Sequence, residues 1–189
     1  ILDNGIKILG RLNGAIPRTG ELNPAIVAKA LGIKVIQGKK IPDLVRMRPP
    51  SFCQGCGHTD TFNALIEAMK PQRNVRVFSD IGCYTLAALP PFNAINSCVD
   101  MGASVTMAIG AADAGLTPSV AVIGDSTFTH SGMTGLLDAV NKASPVTFII
   151  SDNSTTGMTG GQKSQATGRL EQICTGIGVE PDHLKVLIP

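Results

Sequence analysis

From residue 51 onward the chain switches between two hydrophobic periods. Phe62, Leu65, Ile66 and Met69 recur at three- and four-residue spacing, which predicts a helix over 59–70 with one buried face. Short unbroken apolar runs predict strands over 75–78, 120–123 and 146–150; they lack polar alternation, as strands covered on both faces do. A stretch rich in Ala and Gly predicts a helix over 102–115 that can approach a sheet or a cofactor closely. Further helices are expected over 133–141 and 169–176, and a last strand over 185–188. This alternation predicts an α/β fold with a mostly parallel sheet and helices on both faces. Ahead of it, residues 1–22 are Gly-rich and weakly periodic. Asn23-Pro24 then opens a short helix through Leu31, with Asn at the N-cap and Pro at the first helical position. Gly38, Lys39-Lys40, Pro42 and Pro49-Pro50 make 37–50 read as a linker, so the compact domain is expected to begin near Ser51.

Composition narrows the class. The 189 residues suffice for one sizeable core, and 43% hydrophobic against 16% charged residues excludes a disordered chain. No apolar run approaches the roughly 20 residues that cross a bilayer. Net charge is +2, the basic residues are scattered, and there is one Tyr and no Trp, so a nucleic-acid surface is not expected. Ile1-Leu2-Asp3-Asn4 shows no basic segment leading into an apolar core, so no secretory signal is read there. A start at Ile rather than Met suggests a fragment or a processed chain. Five cysteines, an odd number at irregular spacing, do not form a disulfide framework. They fit a reducing, cytoplasmic setting with some thiols kept for metal or redox chemistry.

Two stretches carry candidate chemistry. The run Val120-Ala-Val-Ile123 ends in Gly124-Asp125-Ser126-Thr127, and Ile149-Ile150 ends in Ser151-Asp152-Asn153-Ser154-Thr155 about 28 residues after the first motif. Ligands of parallel sheets sit beyond the carboxyl ends of the strands, so Asp125 and Asn153 would face one crevice. Hard oxygen donors of this kind suit Mg²⁺ bound together with a diphosphate. The plainer alternative is a strand-end Asp that caps the next helix. The second stretch is Cys53-Gln-Gly-Cys56-Gly-His58, whose spacing lets one loop offer two thiolates to a metal; Cys83, at another predicted strand end, could add a third. Zinc, a redox dithiol and an iron–sulfur centre all remain open on this pattern. Elsewhere, Cys98 and Cys174 are expected in the core, and Asp100 as the N-cap of the 102–115 helix.

Taken together, Cys53-Gln-Gly-Cys56-Gly-His58, Asp80-Ile-Gly-Cys83, Gly124-Asp125-Ser126 and Asp152-Asn153 through Thr159-Gly-Gly-Gln162 resemble the thiamine-diphosphate (ThDP) domain of 2-oxoacid:ferredoxin oxidoreductases. The variants Gly-Asp-Ser and Asn-Ser-Thr-Thr-x-Met-Thr-Gly are most similar to the indolepyruvate branch, alpha subunit; the usual third residue of the first motif is Gly, here Ser126. The resemblance covers 51–189 and implies a ThDP-binding fold there, truncated at the C-terminus, with 1–50 the tail of a preceding domain plus linker. It implies Mg²⁺ held by Asp125, Asn153 and the Thr155 carbonyl, and ThDP lined by His58, Cys83, Gly124, Asp125, Ser126, Thr127, Asn153, Ser154, Thr155, Thr156, Gly157 and Met158. It also implies a [4Fe–4S] cluster on Cys53, Cys56 and Cys83, with a fourth ligand beyond Pro189. The implied activity is oxidative decarboxylation of an aryl 2-oxoacid to an acyl-CoA, with electrons passed to ferredoxin. The expected partners are a pyrimidine-binding domain of the same subunit and a second, beta subunit; no membrane or nucleic-acid partner is expected. The Glu that activates ThDP is expected from that other domain, because neither Glu67 nor Glu171 lies in a matching motif, so no catalytic residue is assigned here. Two alternatives stand beside this reading: a non-oxidative ThDP decarboxylase or acetolactate-synthase-like domain, and a zinc-stabilised assembly module without catalysis.

Overall fold

The computed structural model describes residues 5–35, 38–46 and 48–188; Ile1–Asn4, read for a signal, and Gln37, the first linker residue, lie outside the described residues. The chain divides into two units, one ending at Arg48 and one beginning at Pro49. In the first, α1 (Pro24–Ala30) starts where the Asn-Pro pair predicts, with Asn23 Oδ1 accepting from the Ile26 amide at 3.0 Å. Arg11 gathers the loop before it by donating to the carbonyls of Pro17 and Gly20. Residues 38–46 carry no helix or strand.

The second unit is a three-layer α/β structure. Its elements run α2 (Gly57–Met69), β1 (Arg76–Ser79), a 3₁₀ turn (Cys83–Ala88), β2 (Ser97–Cys98), α3 (Ala103–Asp113) and β3 (Ser119–Gly124). There follow α4 (Asp125–Thr127), a π-helical turn (Phe128–Gly132), α5 (Met133–Lys142) and β4 (Val146–Ser151). A small hairpin of β5 (Thr155–Thr156) and β6 (Gln162–Lys163) precedes α6 (Leu170–Ile177). The main sheet is parallel throughout, in the order β2-β1-β3-β4. All six residues of β3 are buried, which is why its sequence shows no polar alternation.

The sheet separates two cores. Val77, Val120 and Val122 face α2 and the 3₁₀ turn, packing with Phe62, Leu65, Tyr84 and Ala87. Ile123, with Phe148 and Ile150 of β4, packs on the opposite side with Val105 and Ile109 of α3, Leu136 and Ala139 of α5, and Cys174 of α6. Each fully buried Val, Ile or Phe contributes about 1.5–3 kcal/mol relative to exposure, so most of the stability gathers around β3. Gly135 of α5 lets that helix approach α3 closely: a Cβ there would lie 2.7 Å from Val105 Cγ1.

Some expectations are corrected. No strand forms over 185–188; Leu187 and Ile188 are about 90% exposed and nothing among the described residues pairs with them, so an apolar run alone did not make a strand. Cys98 is exposed, because β2 is a two-residue edge strand with a neighbour on one side only. Cys174 is in the core as expected. Asp100 does not cap α3: the N-cap is Gly102, and the capping carboxylate comes from Asp80 at the end of β1. The helix expected from 133 is preceded by helical turns reaching back to Asp125.

Candidate functional site

Strands β3 and β4 run parallel with Gly124 opposite Ser151, so both chains leave the sheet at one edge. A cavity of about 260 Å³ opens there. Of the residues expected at the site, His58, Cys83, Gly124, Asp125, Ser126, Thr127, Asn153, Thr155, Thr156, Gly157 and Met158 line it, whereas Ser154, Cys53 and Cys56 do not. Ser154 occupies the left-handed region (φ 57°), and its amide donates to Asp152 Oδ1, which turns the chain out of β4.

Asp125 is the central group. It is 2% exposed, and its Oδ2 has no hydrogen-bond partner. Burial pushes its carboxyl above the ordinary range; hydrogen bonds from the Ser164 side chain and the Ser126 backbone oppose this, and the neighbouring Asp152 charge adds to it. Among the described residues no Lys or Arg lines the cavity, and the two ion pairs found, Lys70–Glu67 and Lys142–Asp138, are exposed. A buried carboxylate left in this state costs stability unless a cation meets it. Asn153 and Thr155 line the same cavity, with Asn153 Oδ1 accepting from the Thr155 amide at 3.2 Å; carboxylate, amide and carbonyl oxygens are the donors that Mg²⁺ prefers. The residues fit that ion.

Side-chain bridges fix the loops around Asp125. Thr156 Oγ1 donates to Ser126 Oγ at 2.8 Å, tying the β5 hairpin to the turn after β3. Thr127 Oγ1 donates to the Ile81 carbonyl at 2.9 Å, tying that turn to the loop after β1. The hairpin closes on itself, because Gln162 and Thr159 exchange two hydrogen bonds of 2.6 Å across Gly160 and Gly161. Both glycines have positive φ (113° and 82°), which is why the Thr-Gly-Gly-Gln sequence is needed. His58, in the first turn of α2, meets Ser151 Oγ at 2.8 Å through Nδ1 and is 4% exposed; burial lowers its pKa, favouring the neutral ring.

Asp80 stands in the sequence only as the opening of the Asp80-Ile-Gly-Cys83 motif, with no role expected of it or of Tyr84. Asp80 is fully buried. Its Oδ1 accepts from the Tyr84 hydroxyl, and its Oδ2 accepts from the amides of Gly102 and Ser104 (3.1 and 3.3 Å) and from Ser104 Oγ (2.5 Å). Burial pushes the Asp80 carboxyl up against these four donors. Burial first, and then the Asp80 charge, lift the Tyr84 phenol far above its ordinary value, so it stays protonated. Tyr84 also lines the cavity, together with Ile81, Gly82, Met101, Ser151 and Thr159, which the sequence reading had not placed there. Their signal was position: most of them flank strand ends.

The thiols are a separate matter. Cys53 is exposed, Cys56 and Cys83 are half-buried. Burial raises the Cys83 thiol pKa, and the charges of Cys56 and Cys53 add to the effect, so the three share a neighbourhood. Among the described residues, however, no three of His, Cys, Asp and Glu are arranged to hold a metal ion. Nor is any helix among them long and apolar enough to cross a membrane.

The chain is 37% identical to the indolepyruvate oxidoreductase subunit IorA of Archaeoglobus fulgidus, over 92% of this chain and 32% of that protein. The subunit of the same name from Pyrococcus horikoshii is 36% identical, over 88% of this chain and 29% of that protein. The chain thus spans about a third of the length of these curated relatives. A solved 2-oxoglutarate:ferredoxin oxidoreductase from Magnetococcus marinus, with 2-oxoglutarate, coenzyme A and succinyl-CoA bound, shares the fold at a TM-score of 0.52 and 24% identity, covering 63% of this chain and 42% of that one. Residues 80–187, which hold the 3₁₀ turn through α6 and every cavity-lining residue but His58, match the family described as thiamine pyrophosphate enzyme, C-terminal TPP binding domain. The chain belongs to that family of thiamine pyrophosphate enzymes.

Proposed function

We propose that this chain is the diphosphate-side ThDP module of a 2-oxoacid oxidoreductase that decarboxylates an aryl pyruvate such as indolepyruvate and passes the electrons to ferredoxin, with CoA accepting the acyl group. The observation that carries the reading is the buried, unpartnered Oδ2 of Asp125 in a cavity that Asn153 and Thr155 share. Bound ThDP supplies a carbanion that adds to the 2-oxoacid carbonyl and an electron sink for the carbanion left by decarboxylation. The residues of this chain bind and orient it. Asp125, Asn153 and the Thr155 carbonyl would hold Mg²⁺, whose chemistry there would be to template and neutralise the diphosphate. Ser126, Thr127, Asn153 and residues 155–158 would wall in the cofactor, and His58 stands beside them as a neutral imidazole.

The choice of aryl substrate and of acceptor is supported by the kinship with the indolepyruvate oxidoreductase subunits and by the fold shared with a ferredoxin-linked enzyme. The cavity of about 260 Å³ is below the roughly 300–1,000 Å³ usual for ligand pockets. That favours completion by a pyrimidine-binding domain, which would also bring the activating Glu. Residues 1–50 are then the tail of a preceding domain and its linker, and 51–189 the ThDP domain, in a cytoplasmic assembly with a beta subunit. Three thiols, Cys53, Cys56 and Cys83, stand where a cubane cluster takes four, and as placed they do not fit one.

The test is calorimetric titration of ThDP into the full-length subunit with and without Mg²⁺. Saturable binding that requires Mg²⁺ and is lost in Asp125→Ala supports the reading, and Mg²⁺-independent binding refutes it. Anaerobic iron and sulfide analysis of wild type and Cys53→Ala separately decides the cluster.

A further inference from the structure

We propose that Asp80 is a positioning residue of the cofactor site, acting through Tyr84 to hold the Gly124–Asp125 strand end in place for the cation and diphosphate. This rests on the ThDP reading above and adds to it a part for two residues that touch neither ion nor diphosphate in that reading.

The argument begins with the cost of Asp80. A fully buried carboxylate is retained where every lone pair is used, and this one accepts four hydrogen bonds through its side chain. Three of them go to the first turn of α3, the amides of Gly102 and Ser104 and the Ser104 hydroxyl, so they anchor the carboxylate as well as cap the helix. The fourth holds the Tyr84 hydroxyl, which also donates to the Ile81 carbonyl at 3.2 Å. The backbone of Asp80 is pinned as well, its carbonyl accepting from Thr85 Oγ1 within the 3₁₀ turn that carries Tyr84. A phenol fixed at its tip and its root has one ring position open to it.

That position abuts the metal-side strand end. A Cβ on Gly124 would fall 2.6 Å from Tyr84 Cε1, and one on Gly82 would fall 2.1 Å from the same atom. The ring therefore fills the space beside both glycines and lines the cavity next to Asp125. Asp125 has an unpartnered Oδ2, so beyond the Ser164 and Ser126 hydrogen bonds its carboxylate depends on the placement of its backbone and that backbone's neighbours. Tyr84 is such a neighbour, and Thr127 Oγ1 on the Ile81 carbonyl closes the loop from the other side. Losing the Asp80–Tyr84 bond frees the ring and loosens the wall against Gly124.

The experiment uses the full-length subunit. Tyr84→Phe removes only the hydroxyl, so it leaves the ring and the core intact. Asp80→Asn is the direct variant, and Ser104→Ala is the control that removes another Asp80 hydrogen bond without touching Tyr84. The readouts are melting temperature, Kd for ThDP in the presence of Mg²⁺, and the split between apparent cofactor KM and kcat. Tyr84→Phe is expected to raise the ThDP Kd about tenfold, the scale of one lost hydrogen bond to a charged group. Its kcat at saturating cofactor should stay within about twofold of wild type, and the Ser104→Ala Kd should not move. Equal Kd in wild type and Tyr84→Phe overturns the inference; so does an equal loss in Tyr84→Phe and Ser104→Ala, which would mark general destabilisation. Failure of the wild type itself to bind ThDP with Mg²⁺ would overturn the reading of the site, and this inference with it.

Discussion

Replacing Asp125 by Asn should stabilise the metal-free protein while abolishing its response to the cofactor. The carboxylate is 2% exposed, one of its oxygens has no partner, and Asp152 stands close enough to raise its pKa. An unsatisfied buried charged group costs at least about 1–3 kcal/mol, and the like charge of Asp152 adds to this. Asn keeps the shape, removes the repulsion, and gives an N–H₂ that Asp152 can accept. We expect a net gain of about 1 kcal/mol without ligand, which is about 2–4 °C in Tm for a domain of this size. In wild type, Mg²⁺ and ThDP at 100 times their Kd should add about 2.7 kcal/mol, and Asn at position 125 should remove nearly all of it. Differential scanning calorimetry of both proteins, with and without Mg²⁺ and ThDP, gives the four midpoints needed. A variant that melts below wild type without ligand, or that keeps the full ligand-induced rise, would refute the reasoning.

Three further outcomes follow from the same geometry. Gly102→Ala should cost about 2–4 kcal/mol in urea unfolding, because φ is 89° and the new Cβ would lie 2.6 Å from the Ser131 carbonyl oxygen. The His58 imidazole is held below its ordinary 6.5 by burial, so the unfolded chain binds the proton more readily; stability should be whole above pH 6.5 and decline as the pH falls through that value toward the lowered native pKa. A urea midpoint at pH 5.5 equal to that at pH 7.5, after subtracting the change seen in His58→Gln, would contradict this. Iodoacetamide under native conditions should label the exposed Cys53 and Cys98 and spare Cys174, which is 3% exposed; peptide mass mapping that finds Cys174 labelled as fast as Cys53 would refute that burial.

The chain disclosed its regular elements where local pattern and burial agree. β3 and β4 were legible as unbroken apolar runs, α2 by its spacing, and α1 by the Asn-Pro start, since each of these signals is contained within a few residues. The Asp125–Asn153 pairing was legible too, because parallel strands put their carboxyl ends on one edge. What stayed hidden depends on partners distant in sequence. The cap of α3 comes from Asp80, 22 residues before Gly102, and the nearby Asp100 was the natural local candidate. Cys98 looked like a core residue by type, but its exposure is set by β2 being the sheet edge. Residues 185–188 have a strand's composition but no strand neighbour among the described residues. The Ser126–Thr156 bridge, spanning 30 residues, has no local signature at all.

The buried carboxylate at the head of α3 also decides how the cavity can treat anions. The amide end of a helix is a ready-made cradle for phosphate, and Met101, beside this one, lines the cavity. Here the cradle is filled from within, since the amides of Gly102 and Ser104 already point at Asp80. With that positive pole neutralised by the chain's own charge and no Lys or Arg among the described lining residues, a polyanion finds little direct electrostatic welcome. Its charge has to be balanced by an ion it brings along. On the function proposed here, the site should take a metal-complexed diphosphate in preference to a bare one, and inorganic phosphate at cellular concentration should be a poor competitor.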